Sequence, residues 1–256
     1  NLNNYYICDD EDYYKMQTEG DMSPSSGNSG FTAQFPDISI SPGDTFNIVL
    51  HENYSEFYGA DFVPDLIMFG SENNSMLATD SGSIGFGSDL IDEDEELLIL
   101  FKWDGDDSHL IEDIDYFVWT FLGGEPDVVD KTGIGDYLDD TSLENQLYFE
   151  TVADQYYAYS RIGSKEERSE LTTGGNGISG HDETSENFRE SWEIIKLFYL
   201  GCTNPDGLNY DYNAEVDDGS CYFTTISEIL NDPIIGQEVI TSGVISDYYK
   251  PSNGPH

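Results

Sequence analysis

Fifty-two aspartates and glutamates stand against nine lysines and arginines in this 256-residue chain, a formal net charge of -43. Folding crowds those carboxylates closer than they lie in the unfolded chain, so the folded state needs screening ions, bound cations or a well-solvated acidic surface. Such a surface repels phosphate backbones and anionic lipid head groups, which argues against nucleic acid as a partner and against insertion at a membrane. Hydrophobic residues make up 38% and aromatics 14%. That apolar content suffices for a sizeable core and argues against wholesale disorder. The length allows one large domain or two small ones.

No stretch is apolar for the length of a membrane span. Asn1 opens a polar, mixed segment rather than a signal peptide, and the chain reads as starting inside one domain and stopping inside another. Two of the three cysteines, Cys202 and Cys221, flank one short acidic loop. They read as an oxidised pair and hence as an extracellular or cell-surface compartment. Cys8 is left over and reads as a buried free thiol.

Strand signals dominate. Leu2–Cys8, Thr45–Leu50 and Phe62–Phe69 are short β-prone runs separated by turn residues such as Ser41-Pro42-Gly43-Asp44. Glu95–Trp103 is the strongest strand, with Leu97–Phe101 nearly continuous, as in a strand covered on both faces. After the Asp104–Asp107 turn, Asp113–Thr120 returns with Ile114, Tyr116 and Val118 alternating against Asp115, Phe117 and Trp119. The two runs predict an antiparallel hairpin with Leu98, Leu100 and Trp119 buried. Glu144–Tyr159 reads as a short helix or two strands. Ser185–Tyr199 carries aromatics at helical spacing, although Ile194–Leu200 suits a strand equally well. Thr172–Gly180 is a glycine-rich loop.

The acidic loop carries the best chemical signal. Asp206, Asn209, Asp211, Asn213, Asp217 and Asp218 place hard oxygen donors close together, and Gly207 and Gly219 permit sharp turns. That set suits calcium, although the spacing is not that of an EF-hand. An acidic turn held by the disulfide alone is the other reading. A segment so poor in apolar residues needs such a staple, which removes about 3 kcal/mol of unfolded-chain freedom for a loop of this size. Asp104, Asp106 and Asp107 with Glu112 read as a solvated turn before a cation site. His181, Asp182, Glu183 and Glu186 read as a loop-capping network before a zinc or acid–base site, since zinc generally takes more than one nitrogen or sulfur ligand. No serine–histidine or cysteine–histidine arrangement stands out, so no catalytic residues and no enzyme activity are expected of this chain.

Three segments resemble known families. Ser41–Phe46, Asp92–Trp103, Glu112–Trp119, Val129–Gly133 and Gly174–Glu186 together resemble the lamin-tail domain of bacterial secreted proteins. That resemblance covers 1–200 and implies an immunoglobulin-like antiparallel β-sandwich without catalytic residues. The family's opening strand has no counterpart here. Gly201–Pro205, Asn209-Tyr210, Asn213-Ala214 and Asp217-Asp218-Gly219-Ser220-Cys221 resemble a short repeat of secreted proteins from marine bacteria, which makes 201–223 a small disulfide-closed module. Residues 224–256 resemble the start of an OB-fold barrel, incomplete as far as the chain runs. These readings together predict a non-catalytic secreted or cell-surface structural or adhesion protein. It would be a subunit of a filament or matrix, stabilised by calcium, with other protein copies or cell-surface or matrix components as partners. The alternative is the accessory front region of an exported nuclease or other hydrolase.

Overall fold

A computed structural model describes residues 1–24, 30–51, 54–55, 62–69, 74–84, 90–154, 156–163 and 172–223. The OB-like reading of 224–256 lies outside them. Eleven strands run along the described chain: β1 (Tyr5–Cys8), β2 (Thr32–Gln34), β3 (Ile48–Val49), β4 (Leu66–Ile67), β5 (Leu77–Ala78), β6 (Glu95–Lys102), β7 (Glu112–Thr120), β8 (Tyr157–Arg161), β9 (Trp192–Lys196), β10 (Leu200–Gly201) and β11 (Val216–Asp217). Among the described residues the helical elements include the single turns α1 (Lys15–Thr18) and α2 (Phe188–Ser191) and the 3-10 turns Leu143–Asn145 and Glu183–Ser185. The protein is mainly β, as expected.

The centre is a five-stranded sheet in the order β5-β2-β1-β6-β7, antiparallel at every pairing. The expected hairpin is β6–β7, with Leu97 opposite Val118 and Ile99 opposite Tyr116. Side chains alternate across a strand, and both faces here are apolar. Tyr6, Cys8, Leu97, Ile99, Phe101, Tyr116 and Val118 enter one core with Tyr13, Met16 and Trp103. Tyr5, Ile7, Leu98 and Leu100 turn to the other face, onto the core of Phe31, Ala33, Phe35, Leu66 and Met68. Each buried side chain of this size contributes about 1.5–3 kcal/mol, so the near-continuous run Leu97–Phe101 supplies both layers. Leu98 and Leu100 are half-buried where full burial was expected, and Trp119 is buried.

The first core continues round β7 to its other face, where Phe117 stacks on Trp192 at 4.0 Å and on Trp119 at 5.3 Å. Three two-stranded ladders accompany the central sheet: β3–β4, β8–β9 and β10–β11. The strand order thus shows one large sheet, and it does not show a second of similar size to complete a sandwich among the described residues. Turn-forming segments such as Ser41-Pro42-Gly43-Asp44 hold β3, β4 and β5 to two residues each.

The helical spacing of Ser185–Tyr199 resolves into one turn, α2, followed at once by β9. Glu144–Tyr159 holds the end of a 3-10 turn and the start of β8. Cys8 is a buried free thiol, as read, and burial raises its pKa well above the ordinary value. No helix among the described residues is long and apolar enough to cross a membrane. Internal packing divides the chain into two compact units: Asn1–Ala153 with Tyr159–Ile194, and Asp154–Ala158 with Ile195–His256.

Candidate functional site

β7 carries two acids, Asp113 and Asp115, that strict alternation would place on one face. The β6–β7 register slips between them: Leu100 lies opposite Asp115 and Phe101 opposite Asp113, leaving Ile114 as an extra residue. Such a bulge re-aims side chains. Asp113 therefore enters the first core with Phe101, while Asp115 faces the opposite side with Leu100.

On the Asp115 side, the 3-10 turn Glu183–Ser185 brings up Glu183 and Glu186. Carboxylate oxygens of Asp115, Glu183 and Glu186 all lie within 4.8 Å of one another, close enough to hold a metal ion. Arg161, at the end of β8, also reaches this group. It donates from Nη1 to Glu186 Oε1 at 2.7 Å and from Nη2 to Asp115. The guanidinium lies 4.8 Å from the centroid of the Trp192 ring, and Ser191 Oγ donates to Glu186 Oε1 at 2.5 Å. A planar cation on two carboxylates and an aromatic face is a strong charge-assisted arrangement. Asp115 and Glu186 thus hold a cation of the protein's own, and with Glu183 they form the one group of three acids among the described residues that can share an ion.

The loop leading to this turn explains its shape. A methyl on Gly175 would meet the Asp182 backbone at 2.4 Å, so glycine is required for the close approach. Asp182 caps the turn: its Oδ1 accepts from the Thr184 backbone at 3.1 Å and its Oδ2 from Thr141 Oγ1 at 2.6 Å. This is the capping network expected at 181–186. His181 Nδ1 lies 2.9 Å from Ser179 Oγ.

On the Asp113 side, Lys131 is wholly buried. Its Nζ donates to Asp113 Oδ2 at 2.7 Å, Tyr13 Oη at 2.7 Å and Tyr116 Oη at 3.0 Å, and lies 3.7 Å from Asp140 Oδ1. Asp140 is fixed by the Lys131 backbone N–H at 2.7 Å, and burial pushes its carboxyl up to about 6.

In the second unit, Cys202 and Cys221 are joined by a disulfide with the sulfurs 2.09 Å apart, as expected. A methyl on Gly207 would meet Cys202 Sγ at 2.7 Å, which makes glycine necessary beside the bridge. The candidate ligands divide by what they already hold. Asn209 is a clasp, accepting from the Tyr222 backbone at 3.0 Å and donating to the Ser220 carbonyl at 2.8 Å. Asp211 accepts from the Asn213 backbone at 2.9 Å and, through the same oxygen, from the Asn213 side chain at 3.2 Å. Asp217 and Asp218 accept from the backbones of Gly219 and Ser220, each at 2.9 Å, and the Ser220 bonds lower the pKa of Asp218. Asp206 is exposed and donates its backbone N–H to Asn204 Oδ1 at 3.0 Å. Gly201 pairs with Asp217, and a methyl there would lie 3.4 Å from Asp211 Cβ. Asp211 and Asp217 thus both border the same glycine.

The Asp104 turn is solvated, as read. Asp104 Oδ2 lies 2.8 Å from His109 Nδ1, Asp106 accepts from Ser108, and Glu112 accepts from Lys102 Nζ at 2.6 Å.

No protein-family model matches this chain, and no curated protein or solved structure matches it either.

Proposed function

We propose that the chain is a non-catalytic, extracellular or cell-surface structural or adhesion protein whose Cys202–Cys221 loop is held by calcium. The observation that carries this reading is the loop itself: a disulfide closes it, and it displays Asp206, Asp211, Asp217 and Asp218 on an exposed surface. The disulfide is compatible with an oxidising compartment, and a net charge of -43 favours any divalent ion that binds the folded state. The lamin-tail-like reading of 1–200 belongs to the same proposal, supported by the antiparallel central sheet. Other copies of the chain, or matrix components, are the partners it implies.

At calcium concentrations about 100-fold above a site's dissociation constant, binding stabilises by roughly 2.7 kcal/mol. The test is a calcium titration of the melting temperature at fixed, high sodium chloride. A rise that Asp217→Asn blunts supports the loop site. No rise at matched ionic strength removes calcium from the reading, and hydrolase turnover by the purified chain would overturn the non-catalytic role.

A further inference from the structure

Lys131 and Asp113 are placed for more than an ion pair. Their side chains are 0% and 2% exposed, and Nζ lies 2.7 Å from Asp113 Oδ2, one bond from the carboxyl carbon. The rings of Tyr13, Tyr116 and Tyr137 stand 5.2, 5.6 and 6.0 Å from Nζ and close the site around it. Tyr13 donates its hydroxyl to the other oxygen, Asp113 Oδ1. A second carboxyl, Asp140, waits 3.7 Å from Nζ, anchored by the Lys131 backbone and by Asn176 Nδ2 at 3.2 Å.

We propose that Lys131 and Asp113 condense to an intramolecular amide, a covalent cross-link between β7 and the segment that follows it. The ion pair and the neutral amine–acid pair are two placements of one proton, and the condensation proceeds from the neutral one. The Nζ lone pair adds to Asp113 Cγ, forming the C–N bond. Asp140 takes the proton shed by nitrogen and delivers it to Oδ2. The Cγ–Oδ2 bond then breaks and Oδ2 leaves as water. Oδ1 remains as the amide carbonyl and keeps the Tyr13 hydroxyl bond, which also stabilises the negative charge that oxygen carries during addition. No oxidant or cofactor enters: one amine and one carboxylic acid give one amide and one water.

Two physical terms drive the step. Holding amine and acid in contact supplies an effective molarity of roughly 10⁵–10⁸ M. Amide formation also removes two buried charges, whose desolvation an ion pair offsets only in part. Asp140 suits the shuttle because its carboxyl, pushed up to about 6 by burial, holds and releases a proton near neutral pH.

Intact mass spectrometry of the full chain, folded and then denatured and reduced, tests the proposal. The expected mass is lighter than the sequence mass by one water, and fragmentation places a branched peptide at Lys131–Asp113. Lys131→Arg and Asp113→Ala each return the sequence mass. Asp140→Ala keeps the pair but slows or abolishes the water loss, and wild-type chain kept unfolded in urea from synthesis stays at full mass. Folded wild-type protein at the sequence mass overturns the proposal, and so does a water loss that maps elsewhere in the chain. Neither outcome depends on any variant folding or on calcium.

Discussion

Asp113 and Asp115 sit two residues apart on one strand and serve opposite faces of the sheet, Asp113 against Phe101 and Asp115 against Leu100. Each acid meets one of the chain's few cations: Lys131 on one face and Arg161 on the other. The extra residue, Ile114, divides them. Burying a carboxylate is tolerable only with a paired charge and hydrogen bonds, so the bulge lets one strand carry two such acids.

Deleting Ile114 makes Asp113 and Asp115 neighbours in sequence while they still stand opposite Phe101 and Leu100, so plain alternation then keeps them on opposite faces without a bulge. Both acids keep their cations, and the deletion is expected to shift the denaturant midpoint far less than Asp113→Ala, which removes the carboxylate that buried Lys131 binds and costs about 3–5 kcal/mol. Ile114→Val keeps the bulge and serves as the control. A deletion as damaging as Asp113→Ala would show that the bulge itself, and not the division of the two acids between faces, carries the stability.

Arg161 separates two accounts of the Asp115–Glu183–Glu186 group. Arg161→Met keeps the stem over Trp192 and removes the cation that Glu186, a carboxylate with no solvent exposure, now binds. The expected loss is about 3–5 kcal/mol in chelator. If the three acids can hold a metal ion, millimolar calcium restores stability to the variant far more than it raises that of the wild type. Equal responses in both proteins would leave Arg161 as the cation these acids hold.

The alternation and the turns were legible in the chain. Leu97–Phe101 reads as a strand covered on both faces because every residue in it is apolar, and the structure puts a core on each side. The disulfide was legible because a loop without a core needs a staple. The bulge was not. Asp113 and Asp115 share a parity with Phe117 and Trp119, and nothing in the residue types marks Ile114 as the extra one; the slip is decided by Lys131 and Arg161, which arrive from distant segments. The Glu183–Glu186 pair reads as loop capping because Asp182 does cap. What ties Glu186 to Asp115 is a cation from β8, beyond any local pattern. One signal was available: when cations are this scarce, a lysine or arginine such as Lys131 marks a place to look for converging acids.

Stability should rise on mild acidification, against the usual direction for carboxylates. Glu96, half-buried at the start of β6, accepts from the backbones of Asp92 at 2.9 Å and Leu97 at 3.0 Å, yet burial pushes its carboxyl from 4.5 to about 7. Asp140 is likewise pushed from 3.8 to about 6. Both folded-state values lie above the unfolded ones, so the native state binds more protons across the interval between them. Each contribution is fully present below the unfolded value and is lost as pH rises, through about 7 for Glu96 and about 6 for Asp140. Acids with lowered values act in the other direction. Asp104, Asp106 and Asp218 are held charged by His109, Ser108 and Ser220 respectively, and their contributions are lost only as pH falls through those lowered values. A stability maximum is therefore expected between about pH 4 and 6, below the usual range of about 5 to 8. General relief of charge repulsion slopes the same way above that maximum, so the wild-type profile alone does not isolate Glu96. Glu96→Gln does. It removes the buried charge while keeping one acceptor oxygen, and it is expected to stabilise the protein at pH 8 by on the order of 1–2 kcal/mol, after discounting for the solvent that still reaches this side chain. The gain should shrink toward zero by pH 5, flattening the upper limb of the profile measured by denaturant unfolding at fixed salt. A variant that runs parallel to the wild type from pH 5 to 8 would show that Glu96 titrates alike in the folded and unfolded chain, and that repulsion among the surface acids alone sets the slope.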